Sequence, residues 1–350
     1  MKSANVGLSP RTDDHRRVLP RVVDVLSRAQ SILCAIQQEP DGDAVGSTLG
    51  LALALEERGK AVTLLCSTGV PENLRFLPGL ERLVQRLPDD AAFDATVVCD
   101  AGASHRIGPG LPPPERRGVT LNLDHHLTSD DFGDVNYVDA DAASVGVLVF
   151  RLLRAMGHPL SPKVATALYT SVLTDTGSFR YSSTNPEALE VAASLVQAGA
   201  DPWTVSSAVY EQQPVARLKL LREVLGTLYL STDGTFAALS LTRSMLGESG
   251  DPSLADGFVN YARSIRGVEV AALFTEPAPG RPAEWSVSLR SRGRVNVAQV
   301  AQRFGGGGHH NAAGARLAGP LASARDQVAR AVREELGRTT ADEGRPDDGR

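Results

Sequence analysis

Residues 31–58 read SILCAIQQEPDGDAVGSTLGLALALEER, and this stretch decides the fold. Its first six residues are apolar enough for a buried strand, and its second half, rich in Leu and Ala, predicts a helix. The turn between them is Pro40-Asp41-Gly42-Asp43. A strand that leads through a short turn into a helix opens a βαβ unit, so the stretch predicts an α/β fold with a mainly parallel sheet flanked by helices.

The same alternation continues to about residue 180 and returns near the C-terminus. In the first part, strands are predicted at 61–66, 94–99 and 118–123, and helices at 144–156 and 163–173. Residues 186–225 look helical. In the second part, strands are predicted at 236–241, 268–274 and 284–290, and helices at 295–304 and 322–336. The pattern therefore predicts two domains, both of α/β class.

We expect the second domain to be the smaller one, with a cleft for the active site between the two. The predicted boundaries are 16–200 for the first domain, 201–235 for a helical connection, 236–338 for the second domain and 339–350 for a tail. The tail is polar throughout, which is typical of a disordered segment.

The composition and charge of the chain indicate which classes of protein it can belong to. The chain has 350 residues with 42% hydrophobic content, which is enough for two cores. Its formal charge of -5 lacks the basic surplus of a protein that binds long duplexes. Cys34, Cys66 and Cys99 all lie in apolar runs, which indicates buried thiols in a reducing compartment. With no signal sequence and no run of about 20 apolar residues, we expect a cytoplasmic protein without a membrane partner.

Acidic and histidine residues follow the apolar runs at four places. They are Asp41 with Asp43, Asp100, Asp124-His125-His126, and Asp175. The carboxyl ends of parallel strands share one edge of a sheet, so the first three groups should meet there. Each has an ordinary alternative, since Pro-Asp-Gly suits a turn, Asp43 suits a helix N-cap and a lone Asp often caps a turn. Together they predict a hydrolytic site with two metal ions, because carboxylate and imidazole groups are the ligands of such sites.

A glycine-rich segment lies between the last two predicted helices. Residues 305–314 read GGGGHHNAAG. One interpretation is a flexible linker. The other is a loop in which the missing side chains let a phosphate approach the backbone. Around it, residues 281–338 hold ten Arg and no Lys against four acids, which is typical either of a solvated surface or of a patch for a phosphate-bearing ligand.

These motifs, in this order, resemble the DHH phosphoesterase family. The resemblance rests on Pro40-Asp41-Gly42-Asp43, Asp100, Asp124-His125-His126 and Asp175-Thr176-Gly177, and the 305–314 segment resembles the signature of the DHH-associated C-terminal domain. It covers about residues 30–336. In size and layout the chain is most similar to the nanoRNase branch, which comprises oligoribonucleases that also act as phosphatases of 3′-phosphoadenosine 5′-phosphate (PAP). The resemblance implies a catalytic first domain and a substrate-binding second domain.

The resemblance also implies roles for individual residues. Asp100 would bridge two metal ions, with Asp41 on one ion and Asp43, His125 and Asp175 on the other. His126 would be catalytic and face the scissile phosphate, while Asp124 would orient a histidine. The substrate contacts that the family pattern implies fall on Arg290, His309, Gly306, Gly307, Gly308, Arg266, His310 and Arg180.

One position departs from the family pattern. The family usually carries a metal-binding His three residues before the Pro of the first motif, and this chain has Gln37 there. An amide oxygen is a weaker ligand than an imidazole. We therefore expect looser binding of one metal ion, or a water in place of the ligand, with catalysis retained.

The activity implied is that of a metal-dependent phosphodiesterase. Its substrates would be RNA fragments a few nucleotides long, linear dinucleotides and PAP, and its partners short single-stranded RNA or DNA and small nucleotides rather than duplexes. Two divalent cations would serve as cofactors, with Mn²⁺ favoured by the resemblance and Mg²⁺ as the alternative, and a homodimer is compatible. Alternatives within the family are a single-strand exonuclease, which tends to carry further domains, and a cyclic-dinucleotide phosphodiesterase. An alternative of another class is a non-catalytic nucleotide sensor, which only Gln37 favours.

Overall fold

The computed structural model describes residues 14–278, 280 and 284–343, without the side chains of 14–16, 248, 249, 309 and 339–343. It divides the chain into two compact units, Met1–Gln212 and Gln213–Arg350. Within the described ranges, no helix is both long enough and apolar enough to cross a membrane.

The first unit contains a sheet of five parallel strands in the order β2-β1-β3-β4-β5. In chain order its elements are α1 (Asp14–Arg28), β1 (Ser31–Ile36), α2 (Gly42–Glu57), β2 (Ala61–Leu65), β3 (Ala95–Cys99), β4 (Val119–Asp124), β5 (Val135–Val138), α3 (Val145–Ala155), α4 (Pro162–Asp175), α5 (Pro186–Gln197) and α6 (Pro202–Tyr210). The predicted α/β class with a parallel sheet is confirmed. The edge strand β5 was not predicted.

The strand order reverses at β1, which has β2 on one side and β3 on the other. Such a switch point opens a crevice at the carboxyl ends of the strands. The register aligns those ends, because Ile36 pairs with Cys99 and Cys99 pairs with Leu123. The segments that follow β1, β3 and β4 therefore leave the sheet side by side.

The two faces of this sheet are covered differently. Ile32, Cys34 and Ile36 point into the main core with the helices. The alternate residues Leu33 and Ala35 pack in two smaller clusters, formed with the connections that follow β2 and β3. The expected burial of Cys34, Cys66 and Cys99 is observed, and all three are unbridged thiols. Burial raises the pKa of the Cys34 thiol to about 12, so it stays protonated at neutral pH.

Helices α2 and α4 lie unusually close because three glycines face α4. Gly42, Gly46 and Gly50 are four residues apart and so share one face of α2. A Cβ atom on Gly46 would lie 2.5 Å from the carbonyl oxygen of Ala167, and one on Gly42 would lie 2.5 Å from the side chain of Thr174. This approach brings the start of α2 against the end of α4, which are the two helix ends that carry predicted metal ligands.

The second unit has a mixed sheet of six strands in the order β10-β11-β9-β8-β7-β6. Its elements are α7 (Val215–Leu225), β6 (Tyr229–Leu230), β7 (Phe236–Leu241), α8 (Val259–Arg263), β8 (Val270–Thr275), β9 (Glu284–Ser291), α9 (Val297–Gln302), β10 (Gly307–His309), β11 (Ala312–Ala318) and α10 (Leu321–Glu343). Alternation along β7 and β8 separates two cores. Phe236, Ala238 and Phe274 pack with α9 and α10, while Ala237 and Leu239 pack with α7 and α8.

The units divide the predicted helical connection between them. Helix α6 belongs to the first unit and α7 to the second. The predicted boundaries at 200 and 236 stay a prediction. Of the tail expected to be disordered, residues up to Glu343 continue α10, and residues 344–350 lie outside the described part of the chain.

Candidate metal centre

Three predicted aspartates of the first unit meet around the imidazole of His125. Its Nε2 atom lies 3.6 Å from Oδ1 of Asp100, 3.6 Å from Oδ2 of Asp175 and 3.7 Å from Oδ2 of Asp43. These carboxylates come from the loop after β3, the end of α4 and the first turn of α2. Residues far apart in the sequence thus form one cluster at the carboxyl edge of the sheet.

The ring of His125 is held so that Nε2 faces the carboxylates. The other ring nitrogen, Nδ1, lies 3.1 Å from the carbonyl oxygen of Ala142. A carbonyl can only accept, so Nδ1 carries the proton and donates it. The lone pair is then on Nε2, which is the arrangement of a metal-binding histidine oriented by a backbone carbonyl.

Asp124 orients the two histidines that follow it. Its side chain is fully buried, and Oδ1 accepts hydrogen bonds from the backbone N–H groups of His125 and His126 at 2.8 and 3.2 Å. The same oxygen accepts from Nδ1 of His126 at 2.7 Å. Burial acts to raise the pKa of Asp124, but the hydrogen bond and the charge of His126 outweigh it and lower that pKa. Asp124 is therefore an anion that aims the Nε2 atom of His126 away from itself.

Asp43 is held by donors from two other helices. Its Oδ2 accepts from the backbone N–H of Val145 at 2.8 Å, and its Oδ1 accepts from Gly146 N–H at 3.3 Å and from the Ser171 hydroxyl at 2.5 Å. The first two donors are the N-terminus of α3, which favours a negative charge. The sequence reasoning missed Ser171 and Gly146. The available signal was that Ser171 precedes Asp175 by one helical turn and therefore shares its face.

Asp100 has a strained backbone. Its φ is +61°, in the left-handed region that residues other than glycine seldom adopt. Its side chain is almost fully buried, and within the described part of the chain Oδ1 has no hydrogen-bond partner. A residue that is both strained and short of a partner needs a compensating interaction. A cation bound beside Nε2 of His125 would supply it.

The pKa shifts within the cluster also indicate a site for cations. Burial, followed by the charge of Asp43, raises the pKa of Asp100 well above its usual value and raises that of Asp175 to about 7. Burial acts to lower the pKa of His125, but Asp43 and Asp175 outweigh it and raise that pKa. Packing like charges together in a buried place is unfavourable unless cations or protons neutralise them.

The donor set fits divalent cations. Two groups of three residues have ligand atoms within 4.8 Å of one another: Asp43, His125 and Asp175, and Asp100, His125 and His126. Carboxylate oxygens with imidazole nitrogens suit Mn²⁺ and related divalent ions. Gln37 is also buried, at the carboxyl end of β1, and none of the described residues donates a hydrogen bond to its Oε1. A buried carbonyl oxygen without a donor is free to act as a ligand.

Asp41, by contrast, caps a helix. It is the N-cap of α2, and its Oδ1 accepts from the N–H groups of Asp43 and Ala44 at 3.1 and 3.0 Å. It is exposed and belongs to neither group of three. The helix N-cap is therefore Asp41 and not Asp43. The role of Asp41 as a metal ligand stays a prediction, and it would use Oδ2, which makes no cap hydrogen bond.

The glycine-rich segment forms a hairpin, whereas both interpretations of its sequence had described it as a linker or a loop. Residues Gly307–His309 form β10, which pairs with β11. A Cβ on Gly306 would lie 2.1 Å from the carbonyl oxygen of Gly314, and one on Gly308 would lie 2.5 Å from that of Ala312. The backbone segments approach so closely that only glycine fits at these two positions. Gly307, in contrast, has open space where its Cβ would be.

The pairing brings predicted substrate residues of the second unit into one row. His309 pairs with Ala312, and Ala312 pairs with Arg290, so the two predicted residues are two strands apart. The side chain of His309 lies outside the described part of the structure. Arg290 is half-buried, and its Nη1 donates to the carbonyl oxygen of Leu289.

The remaining predicted contacts lie on the surface. Arg266 is exposed in the turn before β8, and His310 is exposed in the turn of the hairpin, where Nδ1 lies 3.0 Å from Oδ1 of Asn311. Arg180 is in the first unit, and its Nε donates to the carbonyl oxygen of Gly177 at 2.7 Å. Their roles in substrate binding stay predictions.

Two family models match the chain. The DHH family, N-terminal domain, matches residues 31–172, and the DHHA1 domain matches residues 233–338. The chain is 35% identical to the bifunctional oligoribonuclease and PAP phosphatase NrnA of Thermus thermophilus, over 91% of this chain and 94% of that protein. It is 27% identical to the protein of the same name from Bacillus subtilis, over 85% and 92%. A crystal structure of an exopolyphosphatase-related protein from Bacteroides fragilis superposes with a TM-score of 0.84 at 28% identity, over 93% of this chain and 98% of that one.

Proposed function

Because this chain belongs to the DHH family, we propose that it is a phosphoesterase that hydrolyses short RNA oligonucleotides and linear dinucleotides to mononucleotides, with PAP as a further substrate. The observation that carries the proposal is the cluster of Asp43, Asp100, His125 and Asp175, whose carboxylates lie 3.6 to 3.7 Å from one imidazole nitrogen. Relatives that bear the name oligoribonuclease and PAP phosphatase match it over most of their length.

The cluster would hold two divalent cations, which supply a nucleophilic water at neutral pH and stabilise charge on the phosphoryl oxygens. The residues of the chain have the remaining tasks. Val145, Gly146 and Ser171 donate hydrogen bonds to Asp43 and would hold its carboxylate in place beside the cations. Asp124 fixes the ring of His126, so that Nε2 of His126 can contact an oxygen of the scissile phosphate. We assign His126 to that contact and Asp124 to positioning it.

Of the possible cations, we propose Mn²⁺. Hard carboxylate oxygens with only one or two imidazoles favour Mn²⁺ or Mg²⁺ over metals that prefer sulfur ligands. The presence of His125 favours Mn²⁺ of the two, since Mg²⁺ is bound almost wholly by oxygen.

For the second unit we propose a role in holding the substrate. Arg290 and His309 are two strands apart in one row, beside the glycine hairpin with open space at Gly307. A guanidinium in such a row suits the terminal phosphate of a short oligonucleotide. The net charge of -5 disfavours long nucleic acids, in which many phosphates must be neutralised.

A non-catalytic sensor of nucleotides is the second candidate, and Gln37 is the observation that favours it. One assay separates the two candidates. The protein is incubated with Mn²⁺ and a labelled RNA pentamer, and products are resolved over time. Release of mononucleotides supports hydrolysis, whereas binding of the pentamer without cleavage supports the sensor.

A further inference from the structure

An arginine that no motif singled out lies beside the candidate catalytic histidine. Gly102 separates the two side chains. A Cβ atom on Gly102 would lie 3.4 Å from Cγ of His126, 3.5 Å from its Nδ1 and 3.5 Å from Nη1 of Arg106. Gly102 also has a φ of +66°, which favours glycine. The guanidinium of Arg106 and the imidazole of His126 therefore both lie within about one van der Waals contact of the same point beside Gly102.

The backbone holds Arg106 firmly at this edge of the sheet. It lies in a short 3₁₀ helix, Ser104–Ile107, that follows Asp100. Its N–H donates to the carbonyl oxygen of Ala103 at 3.1 Å, and its own carbonyl accepts from Gln38 N–H at 2.8 Å. The segments after β3 and β1 are thereby tied together. Arg106 is fixed to the same two strand ends that carry the metal centre.

The charge of Arg106 has no acidic partner within the described part of the chain. Among the described residues, none forms an ion pair or a side-chain hydrogen bond with its guanidinium, although the side chain is half-buried. Arg151 shows the usual alternative in the same unit, where it pairs with Asp139 and Glu187 at 2.6 and 2.5 Å. A half-buried cation without a counter-ion, next to a reactive centre, is suited to an anion that arrives with the substrate.

We propose that Arg106 is a catalytic residue that donates to a non-bridging oxygen of the scissile phosphate, on the side of His126. The inference rests on the proposed function, since it needs a phosphate in this centre. The guanidinium matches two phosphate oxygens with its planar fork. Negative charge on these oxygens grows in the transition state, so the contact strengthens there and acts mainly on kcat.

The test compares Arg106→Ala and Arg106→Lys with the wild type and with Arg86→Ala. Arg86 is an exposed residue that pairs with the exposed Asp89, so its replacement by Ala is a control that also removes one positive charge. With Mn²⁺ and a short RNA, we expect kcat to fall about 100-fold in Arg106→Ala and less in Arg106→Lys, with Arg86→Ala unchanged. Added guanidinium should partly restore Arg106→Ala.

Binding of Mn²⁺, measured by calorimetry, separates a phosphate contact from a structural role. Loss of a nearby positive charge should leave Mn²⁺ affinity unchanged or increase it. The inference is overturned if the rate of Arg106→Ala stays within about twofold of wild type. It is also overturned if Mn²⁺ affinity falls by the same factor as the rate. In either case, hydrolysis by the wild type still upholds the proposed function.

If the wild type hydrolyses no RNA, the proposed function fails by itself. Arg106 is then judged by the affinity for AMP in the presence of Mn²⁺. A roughly tenfold weaker Kd in Arg106→Ala supports the phosphate contact. An equal Kd contradicts it.

Discussion

The Ser171 hydroxyl donates a 2.5 Å hydrogen bond to Oδ1 of Asp43, across 128 positions of sequence. Ser171 also accepts from Gly146 N–H at 3.0 Å, so one hydroxyl connects α2, α3 and α4. All of these groups are buried. The hydrogen bond fixes a carboxylate that we assign to a metal ion.

Replacing Ser171 should weaken metal binding. In Ser171→Ala, Asp43 loses its strongest neutral donor, and we expect the affinity for Mn²⁺ to fall about 10- to 100-fold, as for other residues that hold a metal ligand in place. Calorimetric titration of metal-free protein measures it. Ser194→Ala, which removes an exposed hydroxyl bonded to its own helix, is the control. Equal affinities for Ser171→Ala and wild type would show that Asp43 is positioned without the hydroxyl.

Adding one methyl group at Gly46 should separate α2 from α4. The new Cβ would lie 2.5 Å from the carbonyl oxygen of Ala167, and backbone cannot move aside cheaply. We expect Gly46→Ala to lower the free energy of unfolding by about 1–3 kcal/mol and to lower Mn²⁺ affinity as well. Gly337→Ala in α10 meets nothing within 4 Å and should be neutral or slightly stabilising. Urea unfolding of both variants checks this, and a Gly46→Ala protein as stable as wild type contradicts it.

Replacement of His125 and replacement of His126 should have different effects on Mn²⁺ content. His125→Ala removes the nitrogen that faces three carboxylates, so both Mn²⁺ content and hydrolysis should be lost. His126→Ala should keep most of its Mn²⁺ and lose hydrolysis, because we assign His126 to the phosphate. Metal content by mass spectrometry, read beside the rate with short RNA, distinguishes them. Metal loss of equal extent in both variants would make His126 a metal ligand instead.

At Gln37, a substitution should strengthen metal binding rather than weaken it. Its buried Oε1 receives no hydrogen bond from the residues that the structure describes, and an imidazole is the stronger ligand. We expect Gln37→His to tighten the weaker of two Mn²⁺ binding steps and to raise the rate at low Mn²⁺. Gln30→His, at an exposed position just before β1, is the control. An unchanged titration and rate in Gln37→His would mean that Gln37 lies outside the metal shell.

The second unit offers a pH prediction. Hydrogen bonds from Ser231, Arg333 and Thr235 lower the pKa of Asp233 below its usual value. Since this pKa is lower in the folded than in the unfolded state, Asp233 contributes stability above about pH 4 and loses it as the pH falls further. Asp233→Ala should cost roughly 1 kcal/mol at pH 7 and progressively less in acid. Thermal melts of both proteins across this range test it, and a constant difference between them contradicts it.

Much of the fold was predictable because strands such as β1, β3 and β7 are buried on both faces. The apolar runs of β1 and β7 gave their bounds directly, and the acidic residues after the strands marked the edge where the site lies. Strand β5 was missed because its four residues, VNYV, alternate and include a polar Asn. The hairpin at 307–318 was missed because glycine disfavours strands, whereas here close pairing requires it.

The finer geometry of the site could not be predicted from the sequence. The hydrogen bond between Ser171 and Asp43, like the approach of Arg106 to His126, depends on how distant segments pack. The left-handed backbone of Asp100 is equally invisible, since Asp there reads as an ordinary turn residue. Such local strain is sustained by the surrounding structure and leaves no pattern in neighbouring residues.

The central claim is that the Asp and His cluster binds divalent cations and uses them to cleave short RNA. The most direct measurement follows a 5′-labelled RNA pentamer with metal-free wild type and Asp100→Asn, each with and without added Mn²⁺. We expect mononucleotides only from wild type with Mn²⁺. Cleavage without metal, or equal cleavage by Asp100→Asn, would contradict the claim.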